Sequence, residues 1–396
     1  MSRKRIYLDY AATTPTDPRV LKAMLPYFDK KFGNPSSIHA EGAEAKKILD
    51  ESRTKVARIL EAHADEIIFT SGGTESNNLA IFGVVKAFEK EGILISKMHF
   101  VTTVIEHSSV LECFRELEAR GAKVSYAPVS PDGLVDPESI RKLLRPETLL
   151  VSVGYANNEI GTIQPIPKIA RVIRDFRKTK PSTLNPRPFF HSDGSQAPLY
   201  LNCAVERLGV DLLTLDGHKM YGPKGVGMLY VRRGVPIMPL LFGGGQERGI
   251  RSTTENVPHI VGFAKAFEIA VALREKESAR LLKLRDYFCS DVLKNIRISK
   301  EIVVNGSMKE RLPNNLNISV PGFDIEFAVL KLDAAGIACS TKSSCLGTEG
   351  ASYVVAALGG DTERANSTLR FTLGRDTTKK DIDIVVCALE RIFSKN

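Results

Sequence analysis

Between residues 66 and 231, short apolar runs alternate with helical stretches, and this rhythm restricts the fold more than any other feature of the chain. Glu66–Thr70, His99–Val104, Lys123–Pro128, Leu149–Tyr155 and Phe189–Ser192 read as strands. Glu75–Phe88, Ser108–Arg120, Pro137–Leu144 and Ile166–Arg177 read as the helices between them. Parallel strands need crossovers of this length, so the pattern predicts an α/β fold. Its sheet is expected to be mostly parallel and covered by helices on both faces. Two more strands, Leu212–Leu215 and Val226–Val231, flank a loop that carries His218 and Lys219.

Helices are expected before this region, at Pro18–Lys31 and Glu41–Leu60. The polar stretch Lys178–Pro188, with three prolines, reads as a surface excursion. Past it, apolar residues at helical spacing predict a long helix from Val257 to about Asn295. Strands at Glu301–Val304 and Asn315–Val320, and helices at Phe323–Ala335 and Lys379–Phe393, suggest a smaller α+β domain. A chain of 396 residues is too long for one simple core. The expected division is a large domain at 16–262, with 1–15 and 263–396 forming the small one.

Composition narrows the function classes. With 43% hydrophobic and 26% charged residues, the chain is an ordinary folded one. It has no apolar run of about 18 residues, so no membrane span is expected. The N-terminus lacks the apolar core of a signal peptide, which predicts a cytoplasmic location. Six cysteines without a CxxC pair point to reduced thiols, not disulfides or zinc. The net charge of +9 is spread along the chain with no nucleic-acid motif, so direct nucleic-acid binding is not expected.

In doubly wound sheets, ligands bind beyond the carboxyl ends of the strands. After Thr70 comes Ser71-Gly-Gly-Thr-Glu-Ser76, two glycines opening a helix whose N-terminus favours an anion. Later strand ends carry Glu106-His107, then Asn157-Asn158, then Asp193 with Gln196, then Asp216-Gly-His218-Lys219. Each alone reads as a cap, a hydrogen-bonded polar group or a solvated lysine. Together they describe a phosphate seat, a ring partner, a buried acid and an amine. Pyridoxal phosphate requires this set: Asp193 would keep its pyridine nitrogen protonated and Lys219 would hold its aldehyde as a Schiff base.

The motifs also resemble a known family. Leu8-Asp-Tyr-Ala-Ala-Thr-Thr14, Phe69-Thr-Ser-Gly-Gly-Thr-Glu-Ser-Asn-Asn78, Asn157-Asn-Glu-Ile-Gly161, Asp193-Gly-Ser-Gln196, Gly217-His-Lys-Met-Tyr-Gly-Pro-Lys-Gly225 and Gly243-Gly-Gly-Gln-Glu-Arg248 carry the likeness. They are similar to those of NifS/IscS-type cysteine desulfurases, class V enzymes of the fold-type I pyridoxal phosphate group. The likeness runs from about Ile6 to Ile392. It implies a seven-stranded-type sheet in the large domain and a homodimer. It also implies roles by position: Lys219 the cofactor lysine, His107 the ring-stacking histidine, Asp193 the pyridinium partner. Gln196 and Asn158 would lie near the ring hydroxyl and the substrate. Gly73, Thr74 and His218 would bind the phosphate, with Thr254 donated by the other subunit. Asn34 and Arg370 would clamp the substrate carboxylate, and Cys345 would be the catalytic cysteine on a mobile loop.

The activity so implied converts L-cysteine to L-alanine, leaving a persulfide on Cys345 for a sulfur-acceptor protein. That acceptor would be an iron–sulfur scaffold or an enzyme of tRNA or cofactor thiolation. No resident metal is implied, although Cys345 could ligate iron–sulfur species during transfer. Selenocysteine lyase is the alternative within enzymes, motivated by the excursion and by Thr254-Glu-Asn256. A non-catalytic pyridoxal phosphate-binding accessory or scaffold protein is the alternative outside them. Two positions depart from the family pattern. Asp216 stands where a phosphate-holding serine is usual, and since an acid would repel phosphate it is expected to point away. Cys339 is expected to pack.

Overall fold

The computed structural model describes residues 5–179, 188–296, 301–342, 351–359 and 362–393. Its first eight strands are β1 (Ile6–Tyr7), β2 (Ile67–Thr70), β3 (His99–Thr103), β4 (Lys123–Ala127), β5 (Thr148–Ser152), β6 (Phe189–Asp193), β7 (Leu212–Asp216) and β8 (Gly227–Val231). Seven of them form the main sheet in the order β2-β8-β7-β6-β5-β3-β4. β3 pairs in parallel with β4 and β5, as β5 does with β6 and β6 with β7. β8 runs antiparallel to both β7 and β2. The reversal follows from the connection: β7 returns as β8 through a loop, not through a helical crossover.

Except for the edge strand β4, the strands of the main sheet bury both faces, which explains their near-continuous apolar runs. Successive side chains alternate between two cores. Ile67, Val101, Val151 and Leu213 join one, with Val56, Ile169 and Phe263 from the covering helices. Ile68, Phe100, Leu150 and Leu212 join the other, with Leu79, Val84 and Phe114.

A third core lies under a smaller antiparallel sheet. There β10 (Asn315–Ser319) sits between β9 (Val303–Val304) and β12 (Thr368–Thr372). β11 (Ile337–Ala338) pairs in parallel with β1 at the start of the chain. Phe288, Leu316, Ile318, Phe371 and Leu389 fill this core. The predicted long helix exists as Val257–Asn295 and passes between cores. Ile260, Phe263 and Phe267 enter the first, whereas Leu281, Phe288 and Val292 enter the third.

Two expectations need correction. The helix expected at Pro18–Lys31 is two helices, Pro18–Met24 and Pro26–Asp29. Pro26 has no N–H for a continuing helix but suits the first position of a new one. The strand expected from Glu301 shrinks to Val303–Val304. Most of the proline-rich excursion and the segment carrying Cys345 fall outside the described residues. Among those residues, no helix is long and apolar enough to cross a membrane.

β8 touches the turn that opens the helix Gly73–Lys90. A Cβ on Gly227 would stand 2.7 Å from the Cα and carbonyl carbon of Gly72. Backbone cannot yield there as a flexible side chain would. Gly227→Ala is therefore expected to cost about 1–3 kcal/mol. Urea unfolding checks this; an unchanged midpoint would contradict the packing described.

Candidate active site

At the carboxyl edge of the main sheet, the strand ends enclose a cavity of about 290 Å³. This lies at the small end of the range for ligand pockets, about 300–1,000 Å³. Lys219, His107, Asp193, Gln196, Asn158, Gly73, Thr74, His218 and Arg370 all line it.

Lys219 ends a single helical turn, Gly217–Lys219, directly after β7. Its Nζ donates to the carbonyls of Ala11 and Ala12, each at 2.8 Å. Gln196 Nε2 donates to the same Ala11 carbonyl at 3.0 Å. His218 Nδ1 lies 3.0 Å from Thr13 Oγ1. The chain's N-terminal segment thus forms one wall of the cavity, held by the loop that carries the lysine.

On the opposite side, a hydrogen-bonded chain fixes the acid and the imidazole. Asp193 Oδ1 accepts from Ser195 N at 2.9 Å, and Oδ2 from Asn77 Nδ2 at 2.8 Å. Asn77 Nδ2 also reaches Ser109 Oγ at 2.8 Å. His107 caps the helix Ser108–Ala119, its Nδ1 accepting from Ser109 N at 3.2 Å. An accepting Nδ1 places the proton of the neutral ring on Nε2. Asn77 and Ser109 were not singled out from the sequence. The available signal was Asn77 itself, a buried amide on the same helix face as Gly73, Ala80 and Val84.

The helix Gly73–Lys90 presents its N-terminus to the cavity. A Cβ on Gly73 would lie 3.0 Å from Asp216 Oδ2 and 3.2 Å from Ser195 Oγ, so the seat is shaped by the missing side chain. Here the sequence expectation fails. Asp216 does not point away: its Oδ2 accepts from Gly73 N at 2.7 Å, and it lines the cavity. An unsatisfied amide at a helix start attracts any anion within reach, and this carboxylate is the nearest. Burial pushes its acidity down, but hydrogen bonding and charge from His218, the Gly73 amide and the Lys219 charge outweigh that. The carboxyl is held below its usual range.

Arg370, on β12, brings the smaller sheet to the cavity. It is buried; one terminal nitrogen donates to Asp9 Oδ1 at 2.8 Å and the other to the Asn158 carbonyl at 3.1 Å. Its Nε is buried without a hydrogen-bond partner among the described residues. That leaves donor capacity for a carboxylate. Asn34 is exposed and accepts from Ser36 N at 2.9 Å, apart from the cavity. Thr254 lines a different cleft with Ser71, Glu247 and Arg251. Cys345 lies outside the described residues. Cys339 packs against the third core, and burial, with the Asp9 charge, pushes its thiol up to about 12.

Glu106 is a third residue that the sequence did not mark for a role. It is buried and lines the cavity beside His107, accepting from Thr103 Oγ1 at 2.7 Å and from Gly154 N at 2.9 Å. Burial raises its carboxyl to about 7, against those hydrogen bonds and with help from the Asp193 charge. Tyr353 OH donates to the Glu106 carbonyl at 2.5 Å.

Pyridoxal phosphate fits this donor set. Asp193 is an acid whose two oxygens are both anchored, Lys219 an oriented amine, His107 a fixed imidazole, and Gly73 an anion seat that a Cβ would fill.

Comparisons with known proteins agree. The model of the aminotransferase class-V family matches residues 6–385. The chain is 44% identical over 394 residues to cysteine desulfurase IscS of Dictyoglomus turgidum, covering 99% of this chain and 95% of that one. A solved structure described as a NifS-like protein superposes with a TM-score of 0.89 at 37% identity, covering 98% of this chain and 99% of that one. Another, SspA in complex with cysteine, gives 0.78 at 33% identity, with 93% and 98% covered.

The raised Glu106 carboxyl makes a stability prediction. From 4.5 to about 7 the folded state holds a proton that the unfolded state has released. Stability attributable to Glu106 therefore falls as pH rises through that window, by about 3 kcal/mol in all. Glu106→Gln cannot ionise and should lose this slope. Urea unfolding of both proteins across the window checks it, and parallel stability curves would contradict it.

Proposed function

The chain belongs to the class-V aminotransferase family and, within it, to the pyridoxal phosphate-dependent cysteine desulfurases; from that premise we propose that it moves sulfur from L-cysteine onto Cys345 and releases L-alanine. The observation that carries the reading is one cavity lined by Lys219, His107, Asp193 and Arg370.

The bound cofactor supplies an electron sink, which lowers the cost of removing a proton from the substrate Cα and of breaking its carbon–sulfur bond. Lys219 would hold the cofactor, and its amine would move the proton at the substrate Cα. Asp193, anchored by Asn77 and Ser195, keeps the pyridine nitrogen protonated. Gly73, Thr74 and His218 hold the phosphate, and Gln196 and Asn158 orient the ring and the substrate. Arg370 binds the substrate carboxylate, with Asn34 as a second contact. His107, with its Nε2 proton, serves proton transfer near the sulfur. The thiolate of Cys345 takes the substrate sulfur and keeps it as a persulfide.

A homodimer accounts for the residues that stand apart. Thr254 lines a cleft apart from the cavity of its own chain, and Phe32, Ile38 and Phe242 are exposed apolar side chains of the kind a partner covers. The persulfide would pass to a sulfur-acceptor protein in iron–sulfur assembly or thiolation, in the cytoplasm.

L-alanine release from L-cysteine, in the presence of a thiol reductant, tests the reaction. Cys345→Ser should lower it at least about 100-fold. Full activity in that variant would contradict the persulfide route, and alanine from L-selenocysteine alone would favour the lyase. Arg370→Lys loses the guanidinium fork and should raise KM for L-cysteine about 10- to 100-fold. An unchanged KM would remove Arg370 from the clamp.

A further inference from the structure

Asp216 stands in the seat that pyridoxal phosphate, the cofactor of the function proposed above, requires for its phosphate. Its Oδ2 already holds the Gly73 amide at 2.7 Å. Its Oδ1 accepts from His218 N at 3.3 Å, and its Oδ2 lies 3.4 Å from His218 Nε2. Asp216 Cβ itself lies 3.5 Å from where a Cβ on Gly73 would stand, and the backbone is fixed by pairing with Gly227 on β8.

We propose that the cofactor phosphate enters the Gly73 seat together with one proton, shared between the Asp216 carboxyl and a phosphate oxygen. The charges require it. A phosphate monoester is a dianion well above its second pKa of about 6. Once it takes the Gly73 amide, Asp216 loses a donor that kept it ionised and gains two negative charges at contact distance. Two acids sharing one site hold a proton between them. The proton comes from solvent, and no bond between heavier atoms forms or breaks.

Several titratable groups surround Asp216. Its own loop brings His218 and Lys219, and β6 brings Asp193. The first helical turn brings Glu75, which is turned onto Ser71 N and Arg251. β8 brings Gly227 opposite it. Lys219 is directed to the Ala11 and Ala12 carbonyls. His218 is the one neighbour that could take the proton instead, and the test separates it from Asp216.

The probe is pyridoxine 5′-phosphate, which carries the phosphate but no aldehyde, so its binding does not depend on Lys219 chemistry. Calorimetric titration of the cofactor-free full chain at pH 8, in two buffers of different ionisation heat, counts the protons taken up. Ring ionisations are common to all variants, so the difference between proteins is read. The wild type should take up about one proton more per ligand than Asp216→Ser or Asp216→Asn. Between pH 7 and 9 its affinity should fall about tenfold per pH unit more steeply than theirs. His218→Gln keeps the carboxylate and should keep the uptake.

Equal uptake in wild type and both Asp216 variants would overturn the proposal and leave the cofactor reading intact. Loss of uptake in His218→Gln, with retention in Asp216→Asn, would assign the proton to His218 and overturn it likewise. Failure of every protein to bind the probe would overturn the cofactor reading, and the proposal with it.

Discussion

The Lys219 ammonium, held by the Ala11 and Ala12 carbonyls, is the contact on which the rest of the site depends. It fastens the N-terminal segment across the mouth of the main sheet. Further bonds follow the same seam: Thr14 N donates to the His218 carbonyl at 2.9 Å, and Tyr221 N to Thr14 Oγ1 at 2.7 Å. The other end of that segment pairs with β11, Leu8 N donating to the Ala338 carbonyl at 2.8 Å, and meets β12 of the smaller sheet, Thr372 N donating to the Leu8 carbonyl at 2.8 Å. Asp9, between the two, pairs with Arg370. One short segment therefore joins the lysine of the large sheet to the arginine of the small one.

Charge is distributed in the cavity with equal economy. Asp193 is anchored by two donors and suits the pyridinium proposed for it; Asp216 is anchored by Gly73 and His218 and stands in the proposed phosphate seat. Beside His107, Glu106 is a third acid, kept near neutrality of charge by burial. Burial favours its protonated form against the Thr103 and Gly154 donors that would favour the ionised one.

Much of this was legible in the sequence because the fold writes it locally. Strand ends and helix starts carry the polar residues, and a doubly wound sheet brings its strand ends to one edge. Lys219, Asp193, His107 and Gly73 were found in that way. Asp9 was not, because its meaning comes from Arg370, 361 positions away. Asn77 and Glu106 were missed because a buried polar residue on an apolar face looks like an ordinary hydrogen-bonded one. Asp216 was misread because like-charge repulsion was weighed without the Gly73 amide that attracts it. The split of the first helix at Pro26 was written plainly and could have been read from the ring alone.

The central claim is that Lys219 is the residue that holds the cofactor. Borohydride reduction of the protein loaded with pyridoxal phosphate, followed by peptide mass analysis, tests it directly. The account predicts the cofactor mass on the peptide containing Lys219, absent from Lys219→Ala. Attachment at Lys224 or any other lysine, or labelling that survives Lys219→Ala, would contradict it.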